Sequence, residues 1–166
     1  MSERVVLCHG VWDVLHAGHV SHLEAARALG DRLIVSVTPD RHVQAQKGLD
    51  RPYNTIEDRM RVLRALRCVD GVVALDSECG CRAIETVRPA VYVKGREYCS
   101  ALADAEAIVG TAELMFHDPN VPHIYWDKVS AERVGCEFVF SDSMLGSSTR
   151  LIQAMRTPLT PPAPTF

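Results

Sequence analysis

The segment from Val5 to Leu29 limits the possible fold more than any other part of the chain. An apolar run, Val5–His9, leads into Gly10-Val-Trp-Asp-Val-Leu-His16-Ala-Gly-His19. A helical pattern follows over Ala17–Leu29, with Val20, Leu23, Ala26 and Leu29 on one face and Gly30 as its stop. A strand that feeds a helix through a glycine-containing turn is the start of a βα unit. A helix start offers unpaired N–H groups and partial positive charge to an anion. Two histidines three positions apart add donors whose charge changes near neutral pH. The turn therefore reads as a phosphate site, against the alternative of a βα junction with incidental histidines.

The same rhythm continues. Arg32–Val37 is a short apolar strand of the kind buried on both faces. Residues 41–54 are polar, contain Gly48 and Pro52, and read as a long loop. Thr55-x-x-Asp58 resembles a capping box and opens a helix through about Cys68. Val72–Leu75 is a third strand, Arg82–Val87 a helix ended by Pro89, and Ala90–Val93 a fourth strand before Lys94-Gly95. Ala101–Met115 is compatible with a helix, residues 117–122 with a loop and His123–Val134 with a helix that leads to a strand, Cys136–Phe140. Gly146-Ser147-Ser148-Thr149 opens a last helix, Arg150–Met155. The tail Thr157–Phe166 carries four prolines and no core pattern, so it is expected to be flexible or draped over a surface. Strands alternating with helices predict an α/β fold: a Rossmann-like three-layer αβα sandwich around a parallel five-stranded sheet.

The chain's 166 residues suit one domain. The expected division is a domain over 1–156, with residues 99–132 fitting the rhythm least, and the tail from 157. A net charge of −3 supplies no global field for nucleic acid. No apolar run approaches a membrane span, and the start lacks a signal-peptide core, so the expected compartment is the cytoplasm. Its six cysteines are accordingly expected to be reduced thiols, and Cys79-Gly-Cys81 alone is a weak metal signal.

Four segments are expected to meet at the C-terminal edge of such a sheet, where open α/β sheets bind ligands. These are Gly10–His19, the stretch with Lys47 and Arg51 leading to Arg59, Lys94-Gly95-Arg96-Glu97, and Gly146–Arg150. Together they offer histidines, cations and free N–H groups to a triphosphate. No P-loop, no G-x-G-x-x-G after the first strand and no G-x-S-x-G elbow is present. His22 reads as an exposed helix residue, and Arg61, Arg64 and Arg67 as a solvated face. Trp12 is read as core or as a floor under a ligand. His117, His123 and Trp126 carry no assignment.

Gly10-Val-Trp-Asp13-x-x-His16-x-Gly18-His19 resembles the GxFDxxHxGH signature of the cytidylyltransferase-like nucleotidyltransferases, with Trp12 in place of the usual Phe. The likeness continues through Lys47-Gly48, Arg51-Pro-Tyr-Asn-Thr-Ile-Glu-Asp-Arg59-Met, Val93-Lys-Gly-Arg-Glu-Tyr98 and Gly146-Ser-Ser-Thr149. Within the family it is most similar to the adenylyltransferase domain of bacterial ADP-heptose synthesis, over roughly residues 4–98 and 134–155. The resemblance implies transfer of NMP, with AMP preferred, from ATP or CTP to a small phosphorylated acceptor such as a sugar phosphate, with release of pyrophosphate. It implies that His16, His19 and Lys47 are catalytic. It implies that Gly10, Val11, Trp12, Asp13, Gly18, Arg59, Lys94, Gly95, Gly146, Ser147, Ser148 and Thr149 line the nucleotide. Asp13 would hold the loop or help place a metal, and Mg2+ would travel on the triphosphate. A homodimer is the expected assembly.

The likeness is incomplete. Residues 99–132 form an insertion relative to the heptose enzyme, Arg96 and Glu97 depart from its pattern, and no Arg precedes the final turn as in glycerol-phosphate and choline-phosphate members. A cytidylyltransferase acting on a polyol phosphate or phosphonate, a catalytically silent nucleotide-binding domain, and a thiol or zinc enzyme using Cys79 and Cys81 are the alternatives.

Overall fold

A computed structural model describes residues 3–109, 118 and 120–141. Five strands, β1 (Val5–Gly10), β2 (Arg32–Val37), β3 (Gly71–Ala74), β4 (Val91–Gly95) and β5 (Glu137–Ser141), form one sheet in the order β3-β2-β1-β4-β5. Every pairing is parallel. The helices are α1 (Ala17–Arg27), α2 (Asp40–Lys47), α3 (Ile56–Arg64), α4 (Cys81–Val87), α5 (Cys99–Val109) and α6 (His123–Val134).

The period of two along β1 splits the core into two faces. Val6 and Cys8 join Leu33, Val35, Val37, Val91 and Val93 under Leu23 and Ala26 of α1 and Leu63 of α3. Leu7 and Tyr92 point the other way, against Ala83 and Ile84 of α4 and Ala131 of α6. This gives three layers. After β3 the chain crosses to the far side of β1, so the strand order reverses between β1 and β4. In such sheets, that reversal opens a crevice outside the strands' carboxyl ends.

Several local expectations change. Asp40–Lys47, expected as loop, is helix α2. Its single buried apolar residue, Val43, leaves no hydrophobic stripe to read in the sequence. α1 ends at Arg27 with Ala28 as its cap, so Leu29 falls outside the helix and is exposed rather than core. α3 stops at Arg64, short of Cys68, and α5 begins two residues early. The Thr55 cap forms as expected: its hydroxyl accepts from Asp58 N–H at 3.3 Å.

The thiol expectation is also corrected. Cys79 and Cys81 are joined as a disulfide, while Cys8, Cys68, Cys99 and Cys136 are free. The turn before α4 brings the two Cα atoms to 5.4 Å, within the span a disulfide bridges. Gly80 sits between them because a Cβ there would run into the Tyr92 hydroxyl. Gly146–Thr149, the helix expected over Arg150–Met155, the tail and His117 lie outside the described residues. Among the described residues no helix is long and apolar enough to cross a membrane.

Candidate active site

The turn after β1 is fixed by its own side chains. Trp12 adopts φ 58°, a left-handed conformation costly for an aromatic residue. Its ring is buried in the core and its indole N–H donates to the Ser36 carbonyl at 3.0 Å. Gly10 packs closely beneath that ring, where a Cβ would lie 3.1 Å from it and the ring would have to give way. The buried Asp13 carboxylate accepts from Tyr53 N–H (2.7 Å), Asn54 N–H (3.1 Å) and the Asn54 amide (2.9 Å). Arg51 lies 3.4 Å from that carboxylate, donates to the Asp13 carbonyl and stacks on Tyr53. Asp13 therefore holds the loop, the first of the two roles expected for it.

His16 is the N-cap of α1, and its Nδ1 accepts from Gly18 N–H at 3.0 Å. With Nδ1 as acceptor, a neutral ring carries its proton on Nε2, leaving a donor for a ligand. The His19 ring stacks on His16 with centroids 4.0 Å apart and meets Trp12 edge-on at 5.3 Å. Its Nδ1 is buried and has no hydrogen-bond partner. Burial first, then the charges of His16, His22 and Lys47, push the His19 pKa down to about 4. Burial lowers that of His16 as well. Both rings are neutral at pH 7.

His22 is not the exposed helix residue expected. It lies half-buried, stacks on Trp12 at 5.9 Å and hydrogen-bonds Ser141 at 2.7 Å. Position i+3 from His19 turns it toward the end of β5. Burial and Lys94 bring its pKa down to about 4.

The cations divide into two kinds. Lys47 ends α2 with an exposed side chain, yet the protein around its ammonium lowers its pKa, and Arg51 pushes the same way. Such a lysine gains from a phosphate. Arg59, in contrast, is buried and spent on protein acceptors. It donates to the carbonyls of Asn54 (3.1 Å), Val11 (2.5 Å) and Thr38 (2.9 Å) and pairs with Asp40 at 2.5 Å. Its neighbours Arg61, Arg64 and Arg67 are exposed, as expected.

Lys94, at the end of β4, is buried with its ammonium 3.3 Å from the His9 carbonyl and 3.2 Å from Asp127. The contact to His9 joins the ends of β1 and β4 at the point of strand reversal. Burial alone would lower the Lys94 pKa; Asp127, with Tyr98, outweighs it, and the pKa is raised. Asp127 also accepts from the Tyr92 hydroxyl at 2.7 Å. Nothing in the sequence flagged Asp127, which lies beside Lys128 on α6 and looks like an ordinary surface pair. Buried His9 bonds Ser36 and Thr38, and burial, then Lys94, brings its pKa to about 3.

Thus Gly10–His19, Lys47 and Lys94-Gly95 belong to strand and helix ends on one edge of the sheet, with Arg51 in the loop between α2 and α3. Arg59 lies beneath that edge as a support.

The cytidylyltransferase-like family model matches residues 7–153. The chain is 43% identical over 155 residues to the bifunctional protein HldE of Methylococcus capsulatus, covering 93% of this chain and 28% of that protein. It is 46% identical over 108 residues to HldE of Coxiella burnetii, covering 64% of this chain and 23% of that one. The chain thus spans about a quarter of the length of these relatives. Among solved structures, a lipopolysaccharide core biosynthesis protein from Thermoplasma volcanium shares the fold at TM-score 0.60 and 20% identity, covering 86% of this chain and 99% of that one. With the family model matched over most of its length, the chain belongs to the cytidylyltransferase-like family of nucleotidyltransferases.

Proposed function

We propose that this chain transfers AMP from ATP to the phosphate of a small sugar phosphate. An acceptor phosphate oxygen attacks the α-phosphorus, the bond to the bridging oxygen breaks, and pyrophosphate leaves. No enzyme nucleophile is needed, so the protein's work is positioning and charge stabilisation. The observation that carries this reading is the pair of stacked, neutral imidazoles at the start of α1, beside the β1/β4 reversal.

In this reading, His16 and His19 donate to the triphosphate and to charge that builds on it during transfer. The arriving phosphates raise the His19 pKa, so that ring takes up a proton on binding, while His16 keeps Nδ1 as the acceptor of Gly18 N–H and donates from Nε2 as a neutral ring. Lys47 and Lys94 neutralise phosphates from two sides. Backbone at Gly10, Val11, Trp12, Gly18 and Gly95 comes close to the nucleotide, and Gly146, Ser147, Ser148 and Thr149 receive the β- and γ-phosphates. Arg59 and Asp13 are positioning residues, since their polar atoms already hold the loop. The Asp13 and Asp40 carboxylates are both committed to protein donors. The donor set therefore suits Mg2+ held by phosphate oxygens, where it offsets the triphosphate's charge. Preference for AMP and a sugar phosphate rests on the likeness of Arg51–Met60 and Val93–Tyr98 to the heptose-type adenylyltransferase domain. The same reading takes the protein as a cytoplasmic homodimer, which sedimentation of the purified chain tests.

Pyrophosphate release from ATP, CTP, GTP and UTP against sugar phosphates, polyol phosphates and phosphonates is the deciding screen. ATP with a sugar phosphate is the expected pair. Turnover with CTP alone overturns the donor assignment, and no release with any pair leaves a nucleotide-binding domain without turnover.

A further inference from the structure

We propose that Cys79-Gly80-Cys81 is a reversible dithiol–disulfide site, reduced by a dithiol partner, whose state sets how firmly Asp127 holds Lys94. The cysteine turn and the lysine share one carboxylate. Asp127 Oδ1 accepts from Gly80 N–H at 2.7 Å and lies 3.6 Å from Cys81 Sγ. Its Oδ2 accepts from the Tyr92 hydroxyl at 2.7 Å and pairs with Lys94 at 3.2 Å. Asp127 is 1% exposed, so every donor it loses must be made up by the others.

The two states of the cysteines differ by one such donor. As a thiol, Cys81 offers S–H to Asp127 Oδ1; in the disulfide that hydrogen is gone. Oxidation therefore shifts the compensation of a buried carboxylate onto Lys94 and draws the ammonium inward. Reduction returns the S–H and loosens the lysine toward the sheet edge. The turn also reaches the helix that carries Lys47: the Glu78 carbonyl accepts from the Gln46 amide at 3.4 Å, and His123 lies 3.9 Å from the Glu78 carboxylate.

A purely structural role suits this disulfide poorly. A ring closed over one intervening residue removes little chain entropy, because the gain grows with loop length. A metal is the other possible occupant, since Cys79, Cys81 and Asp127 place ligand atoms within 4.8 Å of one another. A cation there would share its only carboxylate with the Lys94 ammonium, and like charges so close repel.

The exchange balances with a dithiol. Cys79 and Cys81 are 2% and 3% exposed, so exchange takes place as the turn before α4 opens: the thiolate then attacks one cysteine sulfur, the Cys79–Cys81 bond breaks, and a mixed disulfide forms. The second thiol resolves it, so the cysteine pair gains two electrons and two protons and the reductant leaves as its own disulfide.

The test starts with the intact chain equilibrated across mixtures of reduced and oxidised dithiothreitol, alkylated and weighed by mass spectrometry. Cys79 and Cys81 are expected to titrate together as a two-electron couple. Lys94 is then labelled in each state with trace acetic anhydride and read by peptide mass. Labelling is expected to be roughly tenfold faster in the reduced state, the change that one unit of ammonium pKa produces. In the Cys79→Ser/Cys81→Ser double variant the rate no longer responds to the redox mixture. Equal labelling in both states overturns the coupling. Stoichiometric zinc in the purified chain without a two-electron titration overturns the site itself. Neither readout needs turnover, so both stand apart from the nucleotidyl-transfer reading. Resting on that reading, the KM for ATP is expected to be roughly tenfold lower in the reduced form, within what one charge-assisted contact supplies; an unchanged KM overturns the link to catalysis.

Discussion

Asp13 and Arg59 hold the backbone on which His16 and His19 stand, and their removal should show first in stability. Arg59→Met leaves three carbonyls without their donor and takes the guanidinium from Asp40, which keeps Ile56 N–H and part of its solvent, and is expected to cost about 3 kcal/mol by urea denaturation. Arg61→Ala, one turn position away on the exposed face, is expected to change stability by less than about 0.5 kcal/mol. A result of equal cost would contradict the support role. The sequence alone does not separate these arginines, since helix phase decides which guanidinium faces inward. The resemblance assigns Arg59 to the lining of the nucleotide, whereas its donors face the carbonyls of Val11, Asn54 and Thr38. Asp127 was invisible for a related reason: its partners Tyr92 and Lys94 lie on a strand more than 30 residues away. His16 and His19 were legible because their neighbours in the chain, Trp12 and Gly18, are also their neighbours in space.

At the level of elements, local chemistry and non-local packing each leave a different trace. The strands announced themselves as apolar runs, and β1, β2, β4 and β5 fall within a residue or two of their expected bounds. α2 gave no signal, because Asp40–Lys47 buries only Val43 and is held instead by contacts such as Asp40 with Ile56 N–H at 3.3 Å. This helix carries Lys47 at its C-terminal end. Removing the cap of α3 by Thr55→Ala is expected to lower stability by about 1 kcal/mol in thermal or urea melts. Gly10→Ala forces the Trp12 ring, in contact at 3.1 Å, to shift within a filled core. A loss of about 1–3 kcal/mol is expected in urea melts. Weaker ATP binding by calorimetry should accompany it, since the same ring supports His19 and His22.

Across the whole molecule, one buried and two half-buried histidines tie stability to pH. His9, His19 and His22 have native pKa values near 3, 4 and 4, below the ordinary 6.5. Between those values and 6.5 the unfolded chain binds more protons than the native one, so stability rises with pH there and falls on acidification. Each histidine contributes up to about 1.4 kcal/mol per pH unit inside that window. The melting temperature is expected to drop steeply from pH 6.5 to pH 4.5, and replacing His19 with Gln is expected to flatten the profile. The same depressed values predict that ATP binding at pH 6.5 takes up protons, seen as a dependence of calorimetric heat on buffer ionisation. Equal heats in all buffers would mean that no imidazole gains a proton when ATP binds. The most direct test that His16 and His19 act on the transferring phosphate is single-turnover nucleotidyl transfer by His16→Ala and His19→Ala variants, with ATP affinity measured alongside. The rate is expected to fall by roughly 10²–10³ while ATP affinity falls far less, as for loss of donors that act on developing charge. Full turnover in either variant would contradict it.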